Sequence, residues 1–169
     1  KEKIPNVFKE VYELEGQLSE EDAMASLGKF LAHNLGYLWH LLTGITLKPF
    51  QEILLHGWFK KDRSVAVLGR ACGKSWLIAV FSLLYCILNK NATIVLVAAN
   101  FRQVKEIFSY IEKFLKRSGS GLLRQCFDVP QRAPDLLRIR CFNGSEIKGL
   151  PMSGEKIRGQ RASVLVIDE

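Results

Sequence analysis

No stretch of this 169-residue chain is apolar for long enough to cross a membrane: the longest run, Trp76 to Leu88, spans 13 residues and is interrupted by Ser82, whereas a helical span needs about 20. A leader-like start is missing too, because KEKIPNVFKEVYELEGQ is charged throughout. Metal-ligand spacing is also absent. Cys72, Cys86, Cys126 and Cys141 form no C-x-x-C or Cys/His pattern, and His33, His40 and His56 fall outside every motif. The cysteines read as reduced and cytosolic, the histidines as helix-surface or packing residues, and no structural metal is expected. There is no internal repeat and no low-complexity segment. With 48% apolar residues the chain can bury one ordinary core, which makes one soluble domain the expectation.

The net charge of +7 suits an anionic partner such as a DNA backbone, or a basic surface kept for solubility. Two stretches decide between classes. In Ser64 to Trp76, SVAVLGRACGKSW, a short apolar strand (Val65 to Leu68) leads through a small-residue loop to Gly73-Lys74-Ser75 and a helix from Trp76. That is the context of a phosphate-binding loop, the alternative being a tight turn before a core helix. Loop N–H groups and the helix N-terminus would form a positive concavity. Gly73 would admit the backbone to the phosphates, Lys74 would reach the β- and γ-oxygens, and the Ser75 hydroxyl would ligate Mg²⁺. The usual first glycine is missing, since its position is Leu68 and Gly69 comes one place late.

The second stretch is SVLVIDE, Ser163 to Glu169. Val164 to Ile167 read as a strand buried on both faces, with Asp168 and Glu169 at its carboxyl end, where open α/β sheets place ligands. There Asp168 would hold the Mg²⁺ shell and Glu169 would polarise an attacking water. Two carboxylates at a strand end can also be a solvated turn. Together with the GKS loop they read as Walker A plus Walker B.

The remaining pattern is mixed helix and strand. Met24, Leu27, Leu31, Leu35, Leu38 and Leu42 predict a helix from Ser19, ended by Gly44. A second helix is expected over Glu52 to Phe59, just after Gln51, whose amide could pair with an adenine edge or simply face solvent. Trp76 to Leu88 should be a buried helix, Thr93 to Ala99 a buried strand, and Phe101 to Arg117 an amphipathic helix closed by a flexible Ser118 to Gly121 loop. Leu136 to Lys148 reads as a hairpin with Asn143-Gly144 as its two-residue turn. Gly149 to Ala162 is a basic loop, with Lys156, Arg158 and Arg161, suited either to solvent or to phosphate contact.

Taken in order, Pro49-Phe50-Gln51, Arg70-Ala71-Cys72-Gly73-Lys74-Ser75, Val97-Ala98-Ala99-Asn100, Asn143-Gly144-Ser145 and Arg158-Gly159-Gln160-Arg161 before Val166-Ile167-Asp168-Glu169 resemble the ATPase domain of the large terminase subunit, the DNA-packaging motor of tailed bacteriophages. The match runs from about residue 47 to 169 and leaves out the first 46. The resemblance implies an α/β P-loop NTPase of the additional-strand, catalytic-glutamate type, with a mainly parallel sheet flanked by helices and an N-terminal helical lid or brace over residues 1–46. It implies a Mg²⁺-dependent ATPase that moves double-stranded DNA into a procapsid. Its implied partners are the portal protein, the small terminase subunit and further copies in a pentameric ring, in the host cytoplasm at the portal.

It further implies a nucleotide site built from Gln51, Arg70, Ala71, Cys72, Gly73, Lys74, Ser75 and Trp76, with catalysis by Glu169, Lys74, Arg70 and Arg158. Arg70 stands where this family often places an arginine in a loop that lacks the first glycine, and Arg158 is the candidate finger toward a neighbouring subunit. The family continues past Walker B into a coupling motif, further strands and a nuclease domain. A fragment is therefore expected, with an incomplete sheet, weak nucleotide binding, slow hydrolysis and no DNA cleavage. A helicase-like translocase and a non-hydrolysing assembly module are the alternatives.

Overall fold

The computed structural model describes residues 20–69, 71–133, 136–151, 159 and 161–168, and the chain divides into two compact units, residues 1–34 and 35–169. In the first unit, helix α1 is Glu20–His33. The apolar pattern predicts one helix running to Gly44, but the structure breaks it at Asn34. The Asn34 side chain donates to the Phe30 carbonyl at 2.8 Å and its own N–H reaches the same oxygen at 3.0 Å. The backbone bond is the ordinary i→i−4 helix bond, whereas the side-chain bond to the same carbonyl is of the local kind that competes with continuation of the helix. Helix α2, Leu35–Thr43, opens the second unit, and Gly44, at φ +69°, ends it as expected.

Three further helices carry the second unit's core: α3 (Pro49–Lys60), α4 (Lys74–Leu88) and α5 (Phe101–Lys116), followed by the short α6 (Gly121–Gln125). In α4, Leu77 to Leu84 and Cys86 are all buried, as a helix apolar all round requires. Helix α5 buries Val104, Ile107, Phe108, Ile111, Phe114 and Leu115 along one stripe, each worth about 1.5–3 kcal/mol relative to exposure. Asn100 caps it, accepting from the Arg102 N–H at 2.9 Å. The Ser118 to Gly121 loop is shorter than expected, because the buried Ser120 already leads into α6.

The strands are β1 (Thr93–Ala98), β2 (Gln131–Ala133), β3 (Leu136–Arg140), β4 (Glu146–Pro151) and β5 (Val164–Asp168), in the order β2-β3-β4-β1-β5. β1 lies parallel to β4 and β5, while β2-β3 and β3-β4 are antiparallel. The sheet is thus mixed, not mainly parallel. A five-residue connection between β3 and β4 allows only the antiparallel return, whereas β1 reaches its neighbours through long crossovers.

Two strand expectations change. Residues Val65 to Leu68 form no strand, and Val65 and Val67 are each 93% exposed; an apolar run makes a strand only where a neighbour completes its ladder. Among the described residues β5 pairs with β1 alone, and Leu165 and Ile167, on one face of it, are 50% and 61% exposed instead of buried.

The β3-β4 turn also differs in detail. The chain reverses through Phe142 and Asn143, with the Gly144 N–H on the Cys141 carbonyl at 3.0 Å and Gly144 itself in the left-handed region at φ +87°. That is the three-residue hairpin loop closed by a left-handed glycine. It ties down the far end of α4. The Asn143 amide donates to the Cys86 carbonyl at 2.7 Å and to that of Ile87 at 3.2 Å, and its oxygen accepts from the Ser145 N–H at 3.1 Å. The buried Ser145 hydroxyl donates to the Asn89 carbonyl and accepts from the Ala92 N–H at 3.0 Å. Last-turn carbonyls of α4, the start of β1 and the turn before β4 thereby form one knot.

Candidate phosphate site at the N-terminus of α4

The chain enters α4 through Gly69 to Gly73. The Cys72 N–H reaches the Gly69 carbonyl at 3.3 Å, Ala71 has φ +64° and Gly73 φ +76°. Two left-handed residues in so short a segment give it the tight turn conformation in which anion-binding nests occur. Gly73 is also the N-cap residue, and glycine offers no side-chain acceptor to the first-turn N–H groups. Those donors and the positive end of a 15-residue helix face the approach to the loop. The helix begins at Lys74, two residues before the position expected from sequence.

Asp168 ends β5 and is 4% exposed. Its Oδ1 lies 2.9 Å from Lys74 Nζ, an ion pair that joins the two motifs at one end of the sheet. Beyond that ammonium, no described residue donates a hydrogen bond to the oxygen. A buried carboxylate oxygen with spare acceptor capacity, beside the Ser75-bearing turn, is the donor chemistry that a hard divalent cation takes. Among the described residues no group of three His, Cys, Asp or Glu could hold a metal by itself.

The other expected site residues fall around this pair. Gln51 is close: a Cβ on Gly73 would lie 4.0 Å from Gln51 Nε2. Its Oε1, however, accepts from the Lys48 N–H at 2.9 Å and so caps α3, which leaves the amide nitrogen as the half turned to the loop. Ala71 and Cys72 are exposed on the loop, while Ser75 and Trp76 are half-buried. The Trp76 ring packs edge-on against Phe114 at 5.5 Å and Trp39 at 6.4 Å, so it anchors the first turn of α4 to α5 and α2. Arg70, Arg158 and Glu169 lie outside the described residues.

Sequence reasoning missed the groove next to the pair. A cavity of about 190 Å³ separates Trp58, Lys61, Asp62, Ser64 and Ala66 from β5, and Lys74 and Asp168 also line it. No periodicity marks those residues, which are brought there by the end of α3 and the extended segment after it. All four cysteines are free, with Cys72 exposed. Burial pushes the Cys86 thiol far up, with Cys141 and Glu146 adding to it, and burial likewise raises Cys126 and Cys141. Burial alone would raise Glu146, but bonds from Lys148 and Arg138 outweigh it and hold the carboxyl below its usual range. No helix among the described residues is long and apolar enough to cross a membrane.

Residues 65–169 match the family described as terminase large subunit, T4-like virus type, N-terminal. No curated protein matches the chain. Among solved structures, the large terminase ATPase domain of Thermus phage P74-26 is similar at 19% identity and a TM-score of 0.56, over 77% of this chain and 56% of that one. An arginine-to-alanine variant of that domain gives a TM-score of 0.59 at the same identity and coverage. The chain thus spans little more than half the length of the solved domains it resembles.

Proposed function

The chain belongs to the T4-like terminase large-subunit family, and on that premise we propose that residues 35–169 carry the ATP-binding and hydrolysing centre of a DNA-packaging motor. The observation that carries this reading is the 2.9 Å contact of Lys74 with Asp168, which unites the phosphate loop with the end of the acidic strand. The loop amides and Lys74 would bind the β- and γ-phosphates. Ser75 and Asp168 would hold Mg²⁺, which when bound neutralises charge on the phosphate oxygens. Glu169 would orient and deprotonate the attacking water, and Arg70 or Arg158 would offset charge on the transferred group. Gln51 Nε2 would contact the nucleotide from the α3 side, and Trp76 would fix the first turn of α4.

The finer fold class belongs to the same proposal. An additional-strand P-loop ATPase places one strand between its phosphate-loop strand and its acidic strand. Double-stranded DNA, a portal, a small subunit and further copies of the chain in a ring are the partners this function requires.

The test measures ATP binding and turnover in the purified protein. Lys74→Ala is expected to abolish turnover and weaken ATP binding. Glu169→Gln should keep Mg-ATP bound while turnover falls by on the order of 10² to 10⁴. Parental turnover in Lys74→Ala would remove the phosphate-loop assignment, and a Glu169→Gln protein that no longer binds nucleotide would make that residue structural.

A further inference from the structure

Helix α5 carries a charged surface that the nucleotide site does not use. Opposite its buried stripe, Arg102, Lys105, Lys113 and Lys116 are exposed, with Arg117 just beyond the last turn. At about 3.6 residues per turn, these side chains leave the helix within roughly a third of its circumference. Of the acids on or beside that side, Glu112 is engaged by Arg132 at 2.6 Å, which leaves Glu106. Cations in the last turn suit the helix dipole. Arg102 and Lys105, however, stand at or next to the first turn, which holds no acid and where the dipole opposes them. Helix stability therefore does not account for them.

The cations are also held in place. Lys105 Nζ lies over the Phe101 ring at 5.2 Å and Lys113 Nζ over the Tyr110 ring at 5.1 Å, which restricts two long side chains before a partner arrives. Arg124, exposed on α6, donates from Nε to the Leu115 carbonyl at 2.9 Å and from Nη2 to that of Arg117 at 3.2 Å, so it fixes a guanidinium at the carboxyl end of α5. The charge thus forms two groups, Arg102 with Lys105, and Lys113 with Lys116, Arg117 and Arg124. From Lys105 to Lys113 the helix rises about 12 Å, and the major groove that separates the two backbones of duplex DNA is also about 12 Å wide. On the premise of the packaging function, we propose that the exposed face of α5 is a contact for double-stranded DNA, lying across the major groove with one cationic group on the phosphates of each strand and reading charge and spacing, not bases.

Fluorescence anisotropy of a labelled short duplex tests this on the chain itself. The parent should bind duplexes of unrelated sequence alike, and a single strand of equal charge at least about tenfold more weakly. Arg102→Ala combined with Lys105→Ala, and Lys113→Ala combined with Lys116→Ala, should each lower duplex affinity at least about tenfold and reduce the slope of log K against log salt by about 2. Lys90→Ala combined with Arg140→Ala removes the same charge from exposed positions elsewhere and should change affinity less than about twofold. A measurement independent of variants is acylation by an activated ester, read by mass spectrometry: duplex should protect Lys105, Lys113 and Lys116 and leave Lys90 reactive. Equal losses in the control pair, equal binding of the single strand, or protection of these lysines by polyglutamate as strong as by duplex would overturn the proposal, the last in favour of an acidic protein surface. A fluorescent ATP analogue should bind the α5 variants as it binds the parent. A chain that binds duplex through α5 but takes no nucleotide would fail the proposed function and leave this surface standing.

Discussion

The two ends of α4 are built on opposite terms. At the carboxyl end, Asn143 and Ser145 satisfy the carbonyls of Cys86, Ile87 and Asn89 from side chains, and the Ala92 N–H completes the knot. At the amino end, the cap is a glycine without an acceptor, the described residues of the loop before it are largely exposed, and the Lys74–Asp168 ion pair spans to β5. One end is fixed by bonds that protein supplies, and the other keeps its donors for something else. A helix anchored from behind can present an open N-terminus without losing its place in the core.

The contrast breaks most severely if the anchored end is cut. Asn143→Ala strands two carbonyls and the Ser145 N–H, so it should cost about 2–3 kcal/mol of stability, measured by urea denaturation, while nucleotide affinity per folded molecule stays near parental. A loss below about 0.5 kcal/mol would mean that water replaces the knot at no cost.

At the open end, Gly73→Ala sharpens the comparison. A Cβ there meets nothing closer than 4.0 Å, so the expected cost is only the strain of holding alanine at φ +76°, about 1–2 kcal/mol. The larger effect should appear in nucleotide binding, read by a fluorescent analogue, because the added methyl stands where the proposed site brings phosphate close. Equal stability losses at the two ends, with binding untouched in both, would erase the distinction.

The smallest effect concerns the hairpin that carries the knot. Glu146, held by Arg138 and Lys148, has its carboxyl lowered in the folded state. Its stabilisation is therefore complete above the unfolded value of roughly 4.3 and is lost as pH falls through the lower folded one. Urea midpoints measured from pH 7 down to pH 3 should show this loss, and Glu146→Gln should flatten that part of the curve.

Long periodic elements are legible in the sequence itself. The apolar stripe of α5, the all-round apolar α4 and the Thr93–Ala98 strand declare themselves through spacing alone. The GKS loop and the Asp168 strand end are also read together from sequence, and the structure brings Lys74 to within 2.9 Å of Asp168. What escapes is what depends on neighbours. Val65 to Leu68 have a strand's composition but no adjacent ladder, and Leu165 and Ile167 look buried, yet β5 pairs with β1 alone among the described residues and leaves that face exposed. β2, three residues long and mostly polar, carries no pattern to read. Asn34 stops a helix through one side-chain bond that periodicity does not register. The Asn143-Gly144-Ser145 segment is visible as a turn, while its hold on α4 depends on contacts with residues far back in the chain.

Cys72 gives the open end a built-in reporter. Of the four thiols it is the exposed one, and burial raises the other three away from the reactive thiolate form. A maleimide dye should therefore attach first in the loop before α4 of the unmodified protein. With that loop proposed as the polyphosphate site, occupancy should be readable as protection from alkylation, with no engineered label and no change to the knot that steadies the helix from behind.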